Sequence, residues 1–270
     1  MNPIGQAFEK AKANGTGALV GYVTAGDPSP ELTPQIADAL IQGGVDLLEL
    51  GLPFSDPIAD GPAIQGASVR ALAAGTTPGK VLEIAKKVRC SHETPIIIMT
   101  YYNPIFRLGL KNFCRLAKES LVDGLIVPDL PFEEADDYRQ IATKFELSTI
   151  FLAAPSSDNE RVKKIVACSK GFLYLVSHFG VTGTKTAIND SSIQLVKRIL
   201  QFTSGKIPLA VGFGISKPEH VESLISAGAD GVIVGSAFVN IVQKNQGNLE
   251  FMLKQLQTTA RELKKATRMV

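Results

Sequence analysis

The sequence predicts a single-domain α/β protein, a (β/α)8 or TIM barrel over residues 1–270, and three observations indicate it. Eight short segments rich in Val, Ile and Leu recur along the chain, as strands buried on both faces of a parallel sheet do. Apolar residues at helical spacing lie between them. Eight strand–helix units in 270 residues also match the usual size of this barrel. A doubly wound open sheet is the alternative, but no dinucleotide-binding fingerprint supports it.

Each predicted strand is a short apolar run without interrupting Lys or Arg. The helical spacing between them is clearest over 81–88, 162–166, 195–200 and 221–225. The predicted strands are Ala18–Thr24, Asp46–Leu50, Ile96–Tyr101, Gly124–Val127, Ser148–Ala153, Phe172–Ser177, Pro208–Val211 and Gly231–Val234.

Composition excludes several classes of protein. The net charge of +2, without clustered Lys and Arg, argues against nucleic-acid binding. No run of 18 apolar residues predicts a membrane span. Charged residues come too early for a secretory signal, and three widely spaced cysteines do not predict disulfides. We therefore expect a cytoplasmic protein.

Two strand–helix units are longer than the fold needs. The predicted strand starts at residues 46 and 96 are 50 residues apart, and those at 172 and 208 are 36 apart. A minimal unit takes roughly 25 residues. We call the segments after these strands loop 2 (52–61) and loop 6 (177–186). Because active sites of such barrels are built from the loops at the C-terminal ends of the strands, both are expected at the site.

Two carboxylates are the candidate catalytic groups. Glu49 lies at the C-terminal end of an apolar strand, where burial raises a carboxyl pKa toward neutrality and suits a general acid or base. A Glu49 bonded to neighbouring backbone is the structural alternative. Asp60 is a second candidate, since paired carboxylates in different environments divide acid and base roles. It could equally cap a helix, because Gly61 and Pro62 follow it.

Glycines after the last two predicted strands indicate a phosphate site. The segments Gly212–Ile215 and Gly235–Ser236 stand where the chain leaves the barrel and a helix begins. Glycine lets backbone amides approach phosphate oxygens, and a helix N-terminus favours the negative charge. Tight turns without a ligand are the alternative. Loop 6, with small and hydroxyl residues, has the composition of a segment that orders on a ligand.

The absence of certain residue types at the predicted site narrows the range of possible reactions. No predicted strand carries a Lys at its C-terminal end, as a Schiff-base aldolase requires. The three His do not cluster in sequence, so no metal site is predicted. What remains is a phosphate-bearing substrate handled by carboxylates alone, without metal or cofactor.

Taken together, these motifs resemble the tryptophan synthase α chain family, over essentially the whole chain. The segment from Leu48 to Pro62 (LELGLPFSDPIADGP) is close to that family's signature residue for residue. Six further segments of the chain match the family's motifs in order: YVTAGDP at 22–28, YYNP at 101–104, DLP at 129–131, GVTG at 180–183, GFGIS at 212–216, and GSA at 235–237.

The resemblance implies retro-aldol cleavage of indole-3-glycerol phosphate to indole and glyceraldehyde 3-phosphate, in tryptophan biosynthesis. Glu49 matches the family's acid/base, which protonates the indole at C3 and takes the proton of the hydroxyl next to the broken bond. Asp60 matches the carboxylate that hydrogen-bonds the indole N–H and stabilises positive charge on the ring.

By the same resemblance, the phosphate would be held by Gly183, Phe213, Gly214, Gly235 and Ser236. Tyr22, Tyr102 and Tyr174 would line the pocket, and Thr182 would help close loop 6 over Asp60. The family works with a β chain in an α2β2 tetramer that is allosterically coupled, and pyridoxal phosphate (PLP) belongs to that partner.

One position departs from the family's pattern. His178 stands where an Arg is usual, so loop closure or coupling to the partner is expected to differ. Three alternatives to the α chain remain: a stand-alone lyase that releases free indole, an indole-glycerol phosphate synthase, and a catalytically silent allosteric barrel. The synthase would need a Lys at a strand end, and the intact Glu49 and Asp60 pair argues against the silent barrel.

Overall fold

A computed structural model describes residues 2–176, 190–212 and 214–269. Within these residues, nine strands pair in parallel in a single sheet, in the order β5-β4-β3-β2-β1-β9-β8-β7-β6. The strands are β1 (Ala18–Thr24), β2 (Leu47–Gly51), β3 (Ile96–Met99), β4 (Gly124–Ile126), β5 (Ser148–Ile150), β6 (Leu152–Ala153), β7 (Leu173–Val176), β8 (Leu209–Gly212) and β9 (Gly231–Val234).

The sheet closes through one interrupted strand. β5 pairs with β4 and β6 pairs with β7, and only Phe151 separates β5 from β6 along the chain. The two segments together are the fifth predicted strand. When β5 and β6 are counted as one strand, the barrel has eight strands, and the predicted (β/α)8 fold is confirmed.

The predicted strands also lie where expected, with small differences at their ends. β1 has the predicted bounds, and the other predicted starts agree within one residue. β3 ends at Met99, two residues before the predicted end, because the chain turns there toward a helix.

Twelve α-helices surround the strands in the described part of the chain, with a 3-10 turn at Phe132–Glu134. The long second unit holds two of them, which accounts for its length, and none is long and apolar enough to cross a membrane. The helices are α1 (Pro3–Ala13), α2 (Thr33–Gln42), α3 (Pro62–Ala73), α4 (Pro78–Ser91), α5 (Tyr102–Leu108), α6 (Leu110–Glu119), α7 (Asp136–Lys144), α8 (Asn159–Cys168), α9 (Asp190–Thr203), α10 (Pro218–Ser226), α11 (Ser236–Lys244) and α12 (Leu249–Lys265).

A solid apolar floor fills the lower half of the barrel. Helix α1 covers the open end with Ile4 and Phe8, which are 0% and 4% exposed. The Phe8 ring lies 5.4 Å from that of Phe172. The floor itself is built from inward-facing side chains at and next to the strands: Ala18, Val20, Leu47, Ile97, Ile126, Ile150, Phe172, Ala210 and Ile233.

The alternation of side chains along each strand then decides what stands above the floor. Residues two positions further along a strand point to the same side. The next inward layer is therefore Tyr22 on β1, Glu49 on β2, Met99 on β3, Leu152 on β6 and Tyr174 on β7. This layer lies toward the C-terminal ends of the strands, where the active sites of such barrels are found.

Candidate active site

Glu49 is fully buried inside the barrel. It pairs in register with Tyr22 on β1 and with Ile97 on β3, and its exposed fraction is 0%. Neither carboxyl oxygen has a hydrogen-bond partner among the described residues. The structural alternative, a Glu49 bonded to neighbouring backbone, is therefore not observed there. A buried polar group without a partner is costly and indicates a function rather than a packing role.

The environment of Glu49 changes its ionisation. Burial, and secondly the nearby Asp60 carboxylate, raise the pKa of Glu49 from 4.5 to about 8. The side chain therefore carries a proton at neutral pH and is able to give it to a substrate. A carboxyl group with a pKa near the working pH can also take a proton back, as general acid–base catalysis requires.

Asp60 lies at the end of loop 2, directly before α3. The capping position of that helix is Gly61, with Pro62 in the first turn, and no side chain bonds to the helix amides. The helix-cap interpretation of Asp60 is thus not what the structure shows. Burial raises the pKa of Asp60 to about 6, and a hydrogen bond from Tyr101 acts in the opposite direction. Asp60 is therefore largely ionised at the pH where Glu49 is still protonated.

The Tyr101 hydroxyl lies beside Asp60, whereas the adjacent Tyr102 contacts Phe106 and Asp129. The Tyr101 hydroxyl accepts the Ala59 N–H at 2.9 Å, which places it next to Asp60, and it lowers the pKa of that carboxyl group. Tyr102 begins α5 with its ring 6.5 Å from that of Phe106, and its N–H donates to Asp129 at 2.9 Å. Sequence reasoning selected Tyr102 and missed Tyr101. The alternation from the inward-facing Met99 was the signal that would have found it.

Two further tyrosines, Tyr22 and Tyr174, belong to the inner layer next to Glu49. Tyr22 is 5% exposed, with its hydroxyl 3.2 Å from Oγ1 of Thr24, and Tyr174 is partly buried. Burial raises the pKa of both phenols well above the usual value. For Tyr22 the Asp60 carboxylate adds most to this effect, and for Tyr174 it is the Glu49 carboxylate. Both hydroxyls therefore keep their protons next to the two carboxyl groups.

Glycines make room for these rings. A Cβ at Gly51 would fall 2.1 Å from the Tyr22 hydroxyl, and one at Gly212 would fall 2.6 Å from the Tyr174 hydroxyl. Carbon atoms do not approach hydroxyl oxygens so closely, so any side chain at either position would displace a tyrosine. Both glycines stand at the ends of strands that the sequence places at the site.

The predicted phosphate end of the site is partly described. Gly235 caps α11, whose first turn begins at Ser236, and β9 neighbours β8, the strand that leads to Gly214. Gly214 has a φ of +49°, a left-handed conformation that favours glycine. The first amides of α11 have no partner within the helix and can bind an anion.

Several predicted residues cannot be placed. The positions Thr182, Gly183 and Phe213 lie outside the described residues, as does His178 in loop 6. They remain predictions from the sequence.

Fold and site together define a (β/α)8-barrel enzyme with two carboxyl groups of unequal pKa, one of them fully buried, at the C-terminal end of the barrel. The family model described as tryptophan synthase alpha chain matches residues 8–268. The chain belongs to this family.

Relatives from distant organisms support the assignment over the whole length. The chain is 47% identical to the tryptophan synthase alpha chain of Methanoregula boonei over 266 residues, which cover 98% of each protein. It is 44% identical to the alpha chain of Arabidopsis thaliana over 263 residues, covering 97% of this chain and 94% of the relative.

A solved structure gives the same result for the fold. It is described as the structural basis of mutual activation of the tryptophan synthase a2b2 complex from Pyrococcus furiosus. The matching chain is 43% identical, with a TM-score of 0.86, and the alignment covers 92% of this chain and 98% of that one.

Proposed function

We propose that this chain is a tryptophan synthase α subunit that cleaves indole-3-glycerol phosphate to indole and glyceraldehyde 3-phosphate, a carbon–carbon lyase reaction. One observation carries the proposal. The Glu49 carboxyl group is fully buried, has no hydrogen-bond partner in the described residues, and lies in the field of a second carboxylate. Such a group can deliver and accept a proton at neutral pH in a pocket closed to water.

Glu49 would move the proton in the bond-breaking step. Its protonated form donates to C3 of the indole ring, which makes the ring an electron sink. The bond from C3 to the first glycerol carbon then breaks, and its electron pair restores the aromatic ring. The hydroxyl on that carbon becomes the aldehyde, and its proton returns to the Glu49 carboxylate. Protons and electrons balance without a metal, a Schiff base or an external base.

Asp60 would stabilise the charged intermediate. Protonation at C3 places positive charge on the ring nitrogen, and a carboxylate that accepts the N–H hydrogen bond lowers its energy. The lower pKa of Asp60, about 6 against about 8 for Glu49, supports this division of roles. One carboxyl group is protonated in the same pH range in which the other is ionised.

The remaining substrate contacts follow the resemblance. Tyr22 and Tyr174 would line the indole and glycerol pocket, where they flank the carboxyl groups. The phosphate would be held mainly by backbone amides around Gly214, Gly235 and Ser236 and by the α11 dipole. Gly183, Phe213 and Thr182 belong to the proposal through the family's motifs alone.

A β chain is the proposed partner, in an α2β2 tetramer, and PLP would reside only in that chain. The described surface beside loop 2 supports this. Ile58 on loop 2 is 83% exposed and Phe106 on α5 is 71% exposed. Loop 2 and the α5 segment touch, since the Phe54 and Tyr101 rings stack 5.3 Å apart. Exposed apolar side chains on adjoining segments are typical of a protein interface.

The domain organisation and compartment are part of the same proposal. Residues 1–270 would act as one domain, because α12 packs on α2 and its Lys264 binds Asp46 at 2.7 Å, next to the start of β2. A cytoplasmic location agrees with the unpaired thiols of Cys90, Cys114 and Cys168.

The deciding experiment measures indole release from indole-3-glycerol phosphate, with and without a β chain. The chain contains no Trp, so indole fluorescence rises against tyrosine emission alone. We expect cleavage that a β chain accelerates. Cleavage at full rate that no β chain binds or accelerates would support the stand-alone lyase, and no cleavage in either arm would overturn the proposed function.

A further inference from the structure

We propose that Tyr101 is a positioning residue, which holds loop 2 against the end of β3 and orients the Asp60 carboxylate through a hydrogen bond. This inference deepens the proposed function, because it rests on Asp60 acting on the substrate. It concerns a residue that lies in the YYNP motif at 101–104 but was not among the predicted site residues.

Tyr101 contacts loop 2 at both of its ends. At the beginning of the loop, the Phe54 ring stacks on the Tyr101 ring at 5.3 Å between centroids, with 28° between the planes. At the end of the loop, the Ala59 N–H donates to the Tyr101 hydroxyl at 2.9 Å, which brings that hydroxyl next to Asp60. One side chain therefore contacts the beginning of the loop and its main chain directly before Asp60.

The hydroxyl can donate as well as accept. Its oxygen accepts from Ala59, which leaves its own hydrogen to donate, and we assign that hydrogen to the Asp60 carboxylate, whose pKa the hydroxyl lowers. Burial and the neighbouring carboxylate raise the pKa of Tyr101 well above its usual value, so the phenol keeps this hydrogen across the working pH range. A hydrogen bond to an ionised acceptor is short, strong and directional.

The other ionisable groups around Asp60 offer no such support. Glu49 faces it from β2, Tyr22 from β1 and Tyr174 from β7, and each interacts unfavourably with its negative charge. Among the described residues, Tyr101 is the group that lowers the pKa of Asp60. Removing the hydroxyl should therefore change both the orientation of Asp60 and the pH at which it ionises.

The chain offers a matched control in Tyr138. Tyr101 and Tyr138 are both 3% exposed, and both pack against a phenylalanine ring. The Tyr138 hydroxyl bonds to the carbonyl of Leu125 at 3.4 Å, in the core between α7 and the sheet. Tyr138→Phe thus removes the same atom from a buried tyrosine that does not reach Asp60.

The test compares Tyr101→Phe with Tyr138→Phe in the full-length chain. The pH dependence of kcat/KM for indole release reports on ionisation in the free enzyme. For Tyr101→Phe we expect the acid limb to move up by about one pH unit, the size of one charged hydrogen bond, with about fivefold lower kcat/KM at pH 6. For Tyr138→Phe the acid limb should stay in place. A Tyr101→Phe limb that coincides with that of the parent chain overturns the proposal.

A second measurement does not depend on activity. Carboxyl ¹³C NMR of the substrate-free chain follows the titration of Asp60, assigned with Asp60→Asn. The Asp60 titration should shift upward in Tyr101→Phe and remain unchanged in Tyr138→Phe. Phe54→Leu, which weakens the ring stacking and keeps the hydroxyl, should leave it within a few tenths of a pH unit; an equal shift there would contradict a role for the hydroxyl.

The two hypotheses fail in different ways. If the parent chain does not release indole while Tyr101→Phe shifts the Asp60 titration, the proposed function fails and the positioning role stands. If the parent chain is active and the titration is the same in Tyr101→Phe, only the positioning role fails. Should Tyr101→Phe not fold, as judged by near-ultraviolet circular dichroism, Tyr101→Met removes the hydroxyl with another apolar side chain, and the Asp60 titration should shift upward in it as well; a titration that coincides with that of the parent chain overturns the role.

Discussion

The backbone of Gly51 lies directly against the hydroxyl of Tyr22, so close that a Cβ at Gly51 would fall 2.1 Å from that oxygen. The two residues belong to neighbouring strands, with Tyr22 paired to Glu49 two residues before Gly51. A glycine in the family's signature segment is therefore needed for space inside the barrel rather than for backbone freedom.

The first prediction tests that contact. Gly51→Ala should lower the free energy of unfolding by about 1–3 kcal/mol, because the Tyr22 ring must move in a packed interior. It should also reduce kcat/KM for indole release, since Tyr22 stands next to Glu49. Chemical denaturation and steady-state kinetics measure both effects. Gly5→Ala is the control: nothing lies within 4 Å of its added methyl group, and the site is in α1, so it should be neutral or slightly stabilising. Equal effects of the two substitutions would contradict the explanation.

The second prediction concerns Glu49 and stability. Between pH 4.5 and about 8 the unfolded chain has lost the Glu49 proton and the folded chain has kept it. The free energy of unfolding therefore falls as pH rises through this window, by up to about 1.4 kcal/mol per pH unit. Glu49→Gln removes this loss, so it should match the parent chain near pH 4.5 and be more stable at pH 8, with indole release abolished. Denaturation curves at several pH values check this, and a constant difference between the two proteins would disprove it.

The third prediction is the pH profile of catalysis. Activity requires an ionised Asp60, present above about pH 6, and a protonated Glu49, present below about pH 8. The dependence of kcat/KM on pH should be bell-shaped, with apparent pKa values near these two numbers that belong to the interacting pair. In Asp60→Asn the residual activity should lose its acid limb. Its alkaline limb should move down, because the Asp60 charge no longer raises the pKa of Glu49. A profile that is flat from pH 5 to 9 would argue against carboxyl chemistry.

The fourth prediction concerns the ion pair that ties α3 to the loop after β1. Arg70 donates to both oxygens of Asp27 at 2.8 Å, and the Asp27 side chain is 3% exposed. Arg70→Met should destabilise the chain by about 3 kcal/mol, because it leaves a buried carboxylate without its partner. Asp27→Asn combined with Arg70→Met should recover part of that loss. The control is Arg115→Met, which breaks an exposed pair with Glu119 and should cost less than about 1 kcal/mol. Thermal or chemical unfolding separates these outcomes.

How far the sequence predicts the molecule can be seen from single residues. Each apolar run became a strand, because parallel strands buried on both faces leave a continuous signal. Glu49 stood out for the same reason, as a carboxylate inside such a run. The alternation of side chains from Met99 onward indicates that Tyr101, and not Tyr102, faces the site. The sequence therefore contained this information, but Tyr102 was chosen because the two tyrosines are adjacent.

Other features depend on contacts distant in sequence. Asp60 looked like a helix cap because the local motif fits one, yet Gly61 is the cap, and Asp60 interacts with Tyr101, which follows β3. The contact between Gly51 and Tyr22 joins residues 29 positions apart, and the Asp27–Arg70 pair joins residues 43 apart. No periodicity in one segment reports such pairings. They follow from the strand register and from how the helices lie over the barrel.

The apolar floor of the barrel has a consequence for molecular traffic. In the part of the chain that the structure describes, Ile4 and Phe8 close the lower end of the barrel, so the site opens toward the opposite end, at the C-terminal ends of the strands. The aromatic fragment and the phosphorylated fragment must both depart on the side from which the intact substrate arrived. The order of their departure is then decided at the rim, where loop 2 presents Ile58 beside Phe106 of α5. A partner bound at that rim would receive the released indole before it reaches bulk water. The same partner would also hinder entry of the next substrate molecule.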